Sequence, residues 1–507
     1  MNKEIRYFYP VLIIIVVFFT RFAFFLDYNV FLSDDDAGFA LAAQDYNIEE
    51  SRPHLPGYYV LVKTIAFVNI VTKDSFISMK LLVLAFSSLS ALIIFKLFLF
   101  YFNEEKSFWL VILLFTNPLI WFYQCTPESY VYDLFFSSLI ALLFYKRSTY
   151  FYFLPLISVM GGIRMSSAFF LIPLYFYITY VYAKEGRLSM KVLALANLFG
   201  LLVTAFWLLP LLSSVGGFAA YLKLYDTHSP MPPIGPVKNI AGFVAYAITF
   251  LIPVFAVFTY LGIKRKFTKI KLNKGIVFNL FWTVPALLFF IFGHYSKGYI
   301  FLIYTSIILI LGIIYFNNIK GFKLLYSVIL FQIAFFLLYP YDNIDPNTNF
   351  RREARATSLV EVYWDRLNSG YLHSRSRLNH YNEVNSSFEE CINYLKYHIS
   401  NPVIFDGKSS EMTINAESYK YSGLRFVTQK NFDREDEYIE QYGLSLKYKY
   451  GLTDLYKKVY ILCDNRMLSY YEGLTDKIYQ NQKHAIIKVK AGKEEEFKDF
   501  YKNLYAK

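Results

Sequence analysis

GYYVLVKTIAFVNIV, residues 57–71, is the stretch on which the fold turns. It is apolar, but it is short and carries Lys63 and Asn69. Crossing a bilayer core of ~30 Å takes about 20 predominantly apolar helical residues. The stretch is therefore read as an amphipathic helix lying on a membrane surface. Counting it as a span would reverse the side on which every later loop emerges.

Outward from it, longer apolar runs recur. Tyr9–Phe25 precedes it. Leu81–Phe100, Phe108–Phe122, Tyr130–Phe144, Tyr150–Ile163, Ala168–Val181, Val192–Leu212, Ile240–Ile263, Ile276–Phe292, Tyr299–Phe316 and Phe322–Leu338 follow. Some are short, as expected of helices that tilt or stop inside a bundle. The basic residues test this threading, because cytoplasmic loops are enriched in Lys and Arg. With Lys3 and Arg6 inside, Lys106, the Lys146–Arg147 pair, the 184–191 cluster, the 264–274 cluster, Lys320 and Lys323 also fall inside. The parity holds only if residues 57–71 do not cross, and it places residues 341–507 outside. The basic start and apolar core of the N-terminus resemble a signal peptide. With no small-residue cleavage site and many later spans, the segment is read as the first membrane helix.

Composition agrees. The 507 residues are 56% hydrophobic and 20% aromatic, above the ~45–50% apolar share of soluble domains. The net charge of +12 lies largely in short loops and is read as membrane topology, not as a nucleic-acid surface. Cys125, Cys391 and Cys463 have neither a disulfide-framework nor a metal-site spacing. Cys391 and Cys463 are either two free thiols or, outside the cytoplasm, a pair. After Pro340 polar residues become common. Short β-like runs (Pro402–Phe405, Val459–Cys463, Ala485–Val489) alternate with helical stretches (Phe388–His398, Lys493–Tyr505). The expected fold is mainly α: a polytopic membrane helix bundle of about 11 spans over residues 1–340, then a small extracytoplasmic α/β domain over 341–507. The expected location is the cell membrane, with the N-terminus cytoplasmic.

The outer segments hold the candidate chemistry. Within the first outer loop, residues 27–80, Ser33–Val62 reads SDDDAGFALAAQDYNIEESRPHLPGYYVLV. Asp34, Asp35 and Asp36 can hold a divalent cation (Mg or Mn), supply a general base, or simply begin a helix, whose N-terminus favours acids. Pro53 and Pro56 fix the backbone and Gly57 permits a tight turn, holding Arg52 and His54 near the membrane surface. An Arg there either snorkels or grips a phosphate with its planar fork. Arg164, His294 and Lys297 are further cations at outer turns, and Glu128 lies in the second outer loop.

The order Asp35, Phe39-Ala40-Leu41-Ala42, Pro53-His54, Pro56-Gly57-Tyr58 resembles the GT-C superfamily of membrane glycosyltransferases, which includes protein O-mannosyltransferases and aminoarabinose lipid A transferases. Leu55 departs from the Pro usual there. Asn117-Pro118, Glu128-Ser129-Tyr130, Gly162-Ile163-Arg164-Met165-Ser166, Trp207, Gly216-Gly217, Tyr221 and His294–Tyr299 resemble later motifs of the same superfamily. The resemblance covers about residues 1–340. It implies a sugar donor carried on a polyprenyl phosphate, a protein, lipid or glycan acceptor, and an inverting reaction. Asp35 would be the base, with Asp36 and Asp34 as alternatives or as holders of a metal. Arg52, His54, Arg164, His294 and Lys297 would meet the donor phosphate, with Glu128 assisting. The competing reading is a multi-pass transporter or lipid flippase. Such a protein is expected to have pseudo-symmetric halves; none is evident, and the acids cluster in one loop.

Overall fold

In a computed structural model of the chain, the described residues are 5–28, 31, 34–50, 52–228, 240, 243–244, 247, 250–264, 273–292, 298–339, 374–400, 402–406, 425–429, 438–442, 445–450, 459–465 and 468–497. They fall into two compact units. One is Met1–Asp27 with Asn47–Arg377; the other is Tyr28–Tyr46 with Leu378–Lys507. The segment that carries the three acids thus clusters with the C-terminal residues.

The first unit is helical. Its helices are α1 (Ile5–Asp27), α3 (Tyr59–Thr72), α4 (Ser75–Phe98), α5 (Glu104–Phe115), α6 (Pro118–Tyr123), α7 (Tyr130–Tyr145), α8 (Phe153–Ile163), α9 (Met165–Lys184), α10 (Met190–Ser214), α11 (Phe218–His228), α12 (Ile252–Lys264), α13 (Lys274–Phe292), α14 (Phe301–Asn318) and α15 (Lys323–Leu338); α2 (Asp34–Ala42) belongs to the second unit. Six helices among the described residues are long and apolar enough to cross a membrane: Phe8–Asp27, α4, α9, α10, α13 and α14. α3, α7, α12, α15 and Tyr150–Ile163 are shorter apolar helices. Outward-facing side chains such as Phe176, Leu201 and Phe206 are exposed. A soluble monomer rarely shows so continuous an apolar surface, whereas lipid accepts it. The chain is a multi-pass membrane protein.

Local chemistry sets the helix ends. α3 spans 14 residues, burying Leu61, Val62 and Ile65 while Phe67, Ile70 and Val71 stay exposed. Only Lys73 and Asp74 separate it from α4. Lys73 takes a left-handed φ of 59°, and the Asp74 carboxylate caps α4 by accepting from the Ile77 N–H at 3.0 Å. α4 therefore starts before Leu81. The expected single span Phe108–Phe122 is broken. α5 ends at Phe115, and the Asn117 side chain caps α6 with Pro118 in its first turn. Proline lacks an N–H and has a preset φ, so Asn-Pro starts a new helix here instead of continuing the old one. α4 packs on α1, α3 and α7, and α8 packs on α9 and α10.

The second unit holds a seven-stranded sheet in the order β4-β3-β2-β1-β5-β7-β6. The strands are β1 (Val403–Asp406), β2 (Arg425–Gln429), β3 (Tyr438–Tyr442), β4 (Ser445–Tyr450), β5 (Val459–Asp464), β6 (Thr475–Gln480) and β7 (His484–Val489). β1 runs parallel to β2 and β5, with Val403 opposite Arg425 and Val459; the other pairings are antiparallel. Helix α16 (Arg375–His398) lays Val384, Phe388, Cys391, Ile392 and Leu395 against Ile404, Leu462 and Ile486. That spacing is one face of a helix. Cys391 and Cys463 are both buried and are not joined in a disulfide.

Candidate functional site

In the first unit, motifs far apart in sequence meet around Arg164. This residue takes an extended conformation, φ −154° and ψ 102°, between α8 and α9, and so breaks what would be one long helix. Its side chain is 4% exposed. Nη1 donates to Asp133 Oδ2 at 2.8 Å, and the guanidinium stands 4.1 Å from the Tyr299 ring centre and 4.7 Å from that of Tyr130. Burial works against the Arg164 charge; Asp133, then Tyr299, Tyr130 and Tyr58, outweigh it and hold the group above its ordinary range. Asp133 lies in the first turn of α7, where a carboxylate also suits the helix dipole.

Glycines allow the close approaches. A Cβ on Gly162 would lie 2.3 Å from Val60 Cγ2 and 2.9 Å from the Trp207 ring, so α3, α8 and α10 touch here. A Cβ on Gly298 would lie 2.1 Å from the Tyr130 ring. Trp207 is fixed in turn by its Nε1 donating to the Ser158 carbonyl at 2.9 Å.

The turn before α3 borders the same region. Arg52 and Asn47 exchange backbone hydrogen bonds at 2.7 and 2.8 Å. The peptides preceding Pro53 and Pro56 are cis. Gly57 has φ 111° and Tyr58 φ 44°. His54 Nε2 lies 3.2 Å from the Tyr58 hydroxyl, and Tyr221 on α11 donates to the Pro56 carbonyl at 3.2 Å. Val60, two residues after Tyr58, packs against Gly162, two residues before Arg164, so this turn lies close to the Arg164 pair. Arg52 is 1% exposed and Glu128 8%.

The acids are described within the second unit. α2 begins at Asp34, whose side chain lies outside the described residues. Asp35 is exposed and Asp36 fully buried, with Phe39, Ala40 and Leu41 buried behind them. Asp35 and Asp36 are adjacent positions of α2, which leave a helix about 100° apart. Among the described residues no group of three or more His, Cys, Asp or Glu is placed to hold a metal. His294 and Lys297 lie outside the described residues.

Sequence reading missed Asp133. Its signal was a lone carboxylate in the apolar run Tyr130–Phe144. A charge in such a run needs a partner, and Arg164 is that partner.

No family model matches the sequence. No curated protein matches it either. Solved structures do. ArnT from Cupriavidus metallidurans bound to undecaprenyl phosphate aligns with a TM-score of 0.60 at 11% identity, covering 95% of this chain and 98% of that one. The chain has the ArnT fold. The apo form of ArnT gives a TM-score of 0.55 at 12% identity, covering 94% of this chain and 97% of its own. The match runs through both units, so the ArnT fold accounts for the helical bundle and the small C-terminal domain together.

Proposed function

We propose that the protein is a membrane glycosyltransferase. It moves a sugar from a polyprenyl-phosphate donor to an acceptor hydroxyl at the extracytoplasmic face. The observation that carries this reading is the full-length likeness to ArnT bound to undecaprenyl phosphate. The meeting of the 52–58 turn, Tyr130, Gly162, Arg164 and Tyr299 in one place supports it.

In the proposed reaction the acceptor oxygen attacks the anomeric carbon as the bond from that carbon to the phosphate oxygen breaks. The hydroxyl proton passes to a carboxylate, and the polyprenyl phosphate leaves with the bond electrons. Attack opposite the leaving group inverts the anomeric centre. Asp35 is assigned as the base because its side chain is exposed whereas Asp36 is buried. Negative charge grows on the leaving phosphate, so fixed cations at its oxygens lower the barrier. Arg52, His54 and Arg164 are assigned that role, with His294 and Lys297 as further candidates and Glu128 assisting. Arg164 is held by Asp133 and two rings, so it loses little conformational freedom on meeting the donor. A bound Mg or Mn ion would add positive charge at the phosphate; no step above depends on one.

The test is transfer in membranes. A panel of radiolabelled polyprenyl-phosphate sugars is offered to membranes carrying the wild type or Asp35→Asn. Label in a new product from one donor, lost in the variant, is expected. Absence of product from every donor, with folded protein, counts against the reading.

A further inference from the structure

The end of the helical unit away from Arg164 carries a cluster of cations that the proposed reaction does not use. α9 begins beside Arg164 and ends at Lys184, 20 residues later, so its two ends lie about 30 Å apart. Three helices long and apolar enough to cross a membrane reach this end: α9 stops at Lys184, α10 starts at Met190 and α13 starts at Lys274. The turn after α7 comes to the same place. Charged groups where spans leave the bilayer stand at the level of the lipid headgroups.

One carboxylate organises the cluster. Glu185 accepts from Arg147 Nη1 at 2.9 Å and from Lys274 Nζ, and Arg187 Nη1 stands 3.8 Å away. Arg187 Nη2 donates to the Arg147 carbonyl, and its guanidinium lies 4.8 Å from the Tyr182 ring centre. Tyr182 donates to the Ser148 carbonyl at 2.8 Å, and Tyr177 to the Lys274 carbonyl at 3.1 Å. The turns after α7 and α9 and the start of α13 are thereby held together.

The charges do not balance. Lys146 and Lys184 adjoin Arg147 and Glu185 in sequence and are exposed. Among the described residues Glu185 is the one acid paired in this cluster. One cation neutralises it, which leaves the others uncompensated. They also stay accessible: the side chains of Arg147 and Lys274 are 61% and 55% exposed, that of Glu185 14%. Lys184 Nζ donates to the Tyr180 hydroxyl at 3.3 Å, and Tyr180 and Tyr152 are exposed, as aromatic residues at a membrane–water boundary are. Membrane topology asks only that loops on one side be basic. It does not ask that three of them hold their cations around one carboxylate at headgroup level.

We propose that this cluster binds the phosphate headgroup of an anionic bilayer lipid. The guanidinium forks of Arg147 and Arg187 and the ammonium groups beside them meet the phosphate. The lipid chains lie against the outward apolar sides of the spans, where Phe176 and Leu198 are exposed.

The test uses the purified full-length protein in detergent. Phosphatidylglycerol is titrated, with phosphatidylcholine as the neutral control, and bound lipids are counted by native mass spectrometry. Each basic group at an anionic lipid surface is worth roughly a fivefold gain in binding. Arg147→Gln/Arg187→Gln should therefore bind phosphatidylglycerol about 25-fold more weakly, with phosphatidylcholine unchanged. Lys146→Gln/Lys184→Gln, which breaks no ion pair among the described residues, should lose a similar factor and serves if the first variant does not fold. Glu185→Gln removes the opposing charge and should bind phosphatidylglycerol at least as tightly as the wild type. The proposal is overturned if the wild type binds both lipids equally, if the folded basic variants bind phosphatidylglycerol as the wild type does, or if Glu185→Gln loses as much binding as they do.

Discussion

Removing Asp133 strands a buried guanidinium. The Arg164–Asp133 pair is 2.8 Å long, and its side chains are 4% and 1% exposed. Two unit charges about 4 Å apart attract by about 4 kcal/mol at an effective dielectric of 20. Truncating one member of a buried pair also leaves the other charge uncompensated, and such changes cost about 3–5 kcal/mol. Asp133→Ala is therefore expected to destabilise the first unit by about 3–5 kcal/mol. Asp133→Asn keeps one acceptor oxygen and loses less. Arg164→Met should cost a similar amount. The double variant Asp133→Ala/Arg164→Met buries no charge, so it should regain about 3 kcal/mol relative to the sum of the singles. The assay is reversible denaturant unfolding in detergent, followed by tryptophan fluorescence, since Trp207 packs on Gly162 beside this pair. Single variants that each cost less than about 1 kcal/mol and add without coupling would refute the reasoning.

Other outcomes follow from named contacts. Gly162→Ala forces a Cβ to within 2.3 Å of Val60, and overpacking of this kind costs about 1–3 kcal/mol, readable as a lowered melting temperature in detergent. Changing Asp34, Asp35 and Asp36 together to Asn should abolish transfer with expression intact, whereas Asp35→Asn alone should slow it about 10²–10⁴-fold; unchanged transfer in the triple variant removes the acids from the mechanism. Glu185 is held below the usual carboxylate range first by its hydrogen bond from Lys274, with Arg147 and Arg187 adding to it. A depressed carboxylate stabilises the fold above its unfolded value of about 4.3 and loses that contribution as pH falls through its lower folded value. The melting difference between wild type and Glu185→Gln should therefore be present at pH 6 and close below about pH 4. Burial pushes the Cys391 thiol up to about 12. At pH 8 roughly one molecule in ten thousand then carries the thiolate, so maleimide should label Cys391 slowly in the folded protein and quickly after denaturation.

The membrane architecture was legible because a span needs a long apolar run, and such runs survive without any partner information. α9, α10, α13 and α14 overlap the apolar runs from which spans were expected. The break after Phe115 was legible in principle, since Asn117-Pro118 is a helix-start signal; the unbroken apolarity around it hid the break. The Arg164 site was half legible. Arg164, Tyr130, Gly162 and Tyr299 stood in recognisable turns, but the partner of Arg164 lies 31 residues away on another helix. Strand-like runs for β1, β5 and β7 were visible because those strands are apolar. β3 and β4 read YIEQY and SLKYKY, where tyrosines alternate with polar residues, and they carry little hydrophobic signal. That residues 28–46 cluster with the C-terminal unit is a tertiary fact with no local sequence mark.

Sugar transfer from a polyprenyl phosphate is tested most directly with purified protein in proteoliposomes. The donor carries label in both sugar and lipid, and an acceptor extract is supplied. The account predicts that sugar label moves to a new product while an equal amount of free polyprenyl phosphate appears, and that Asp35→Asn slows both about 10²–10⁴-fold. Donor that crosses the bilayer with its sugar still attached, and no glycosidic product, would contradict the account and establish a flippase instead.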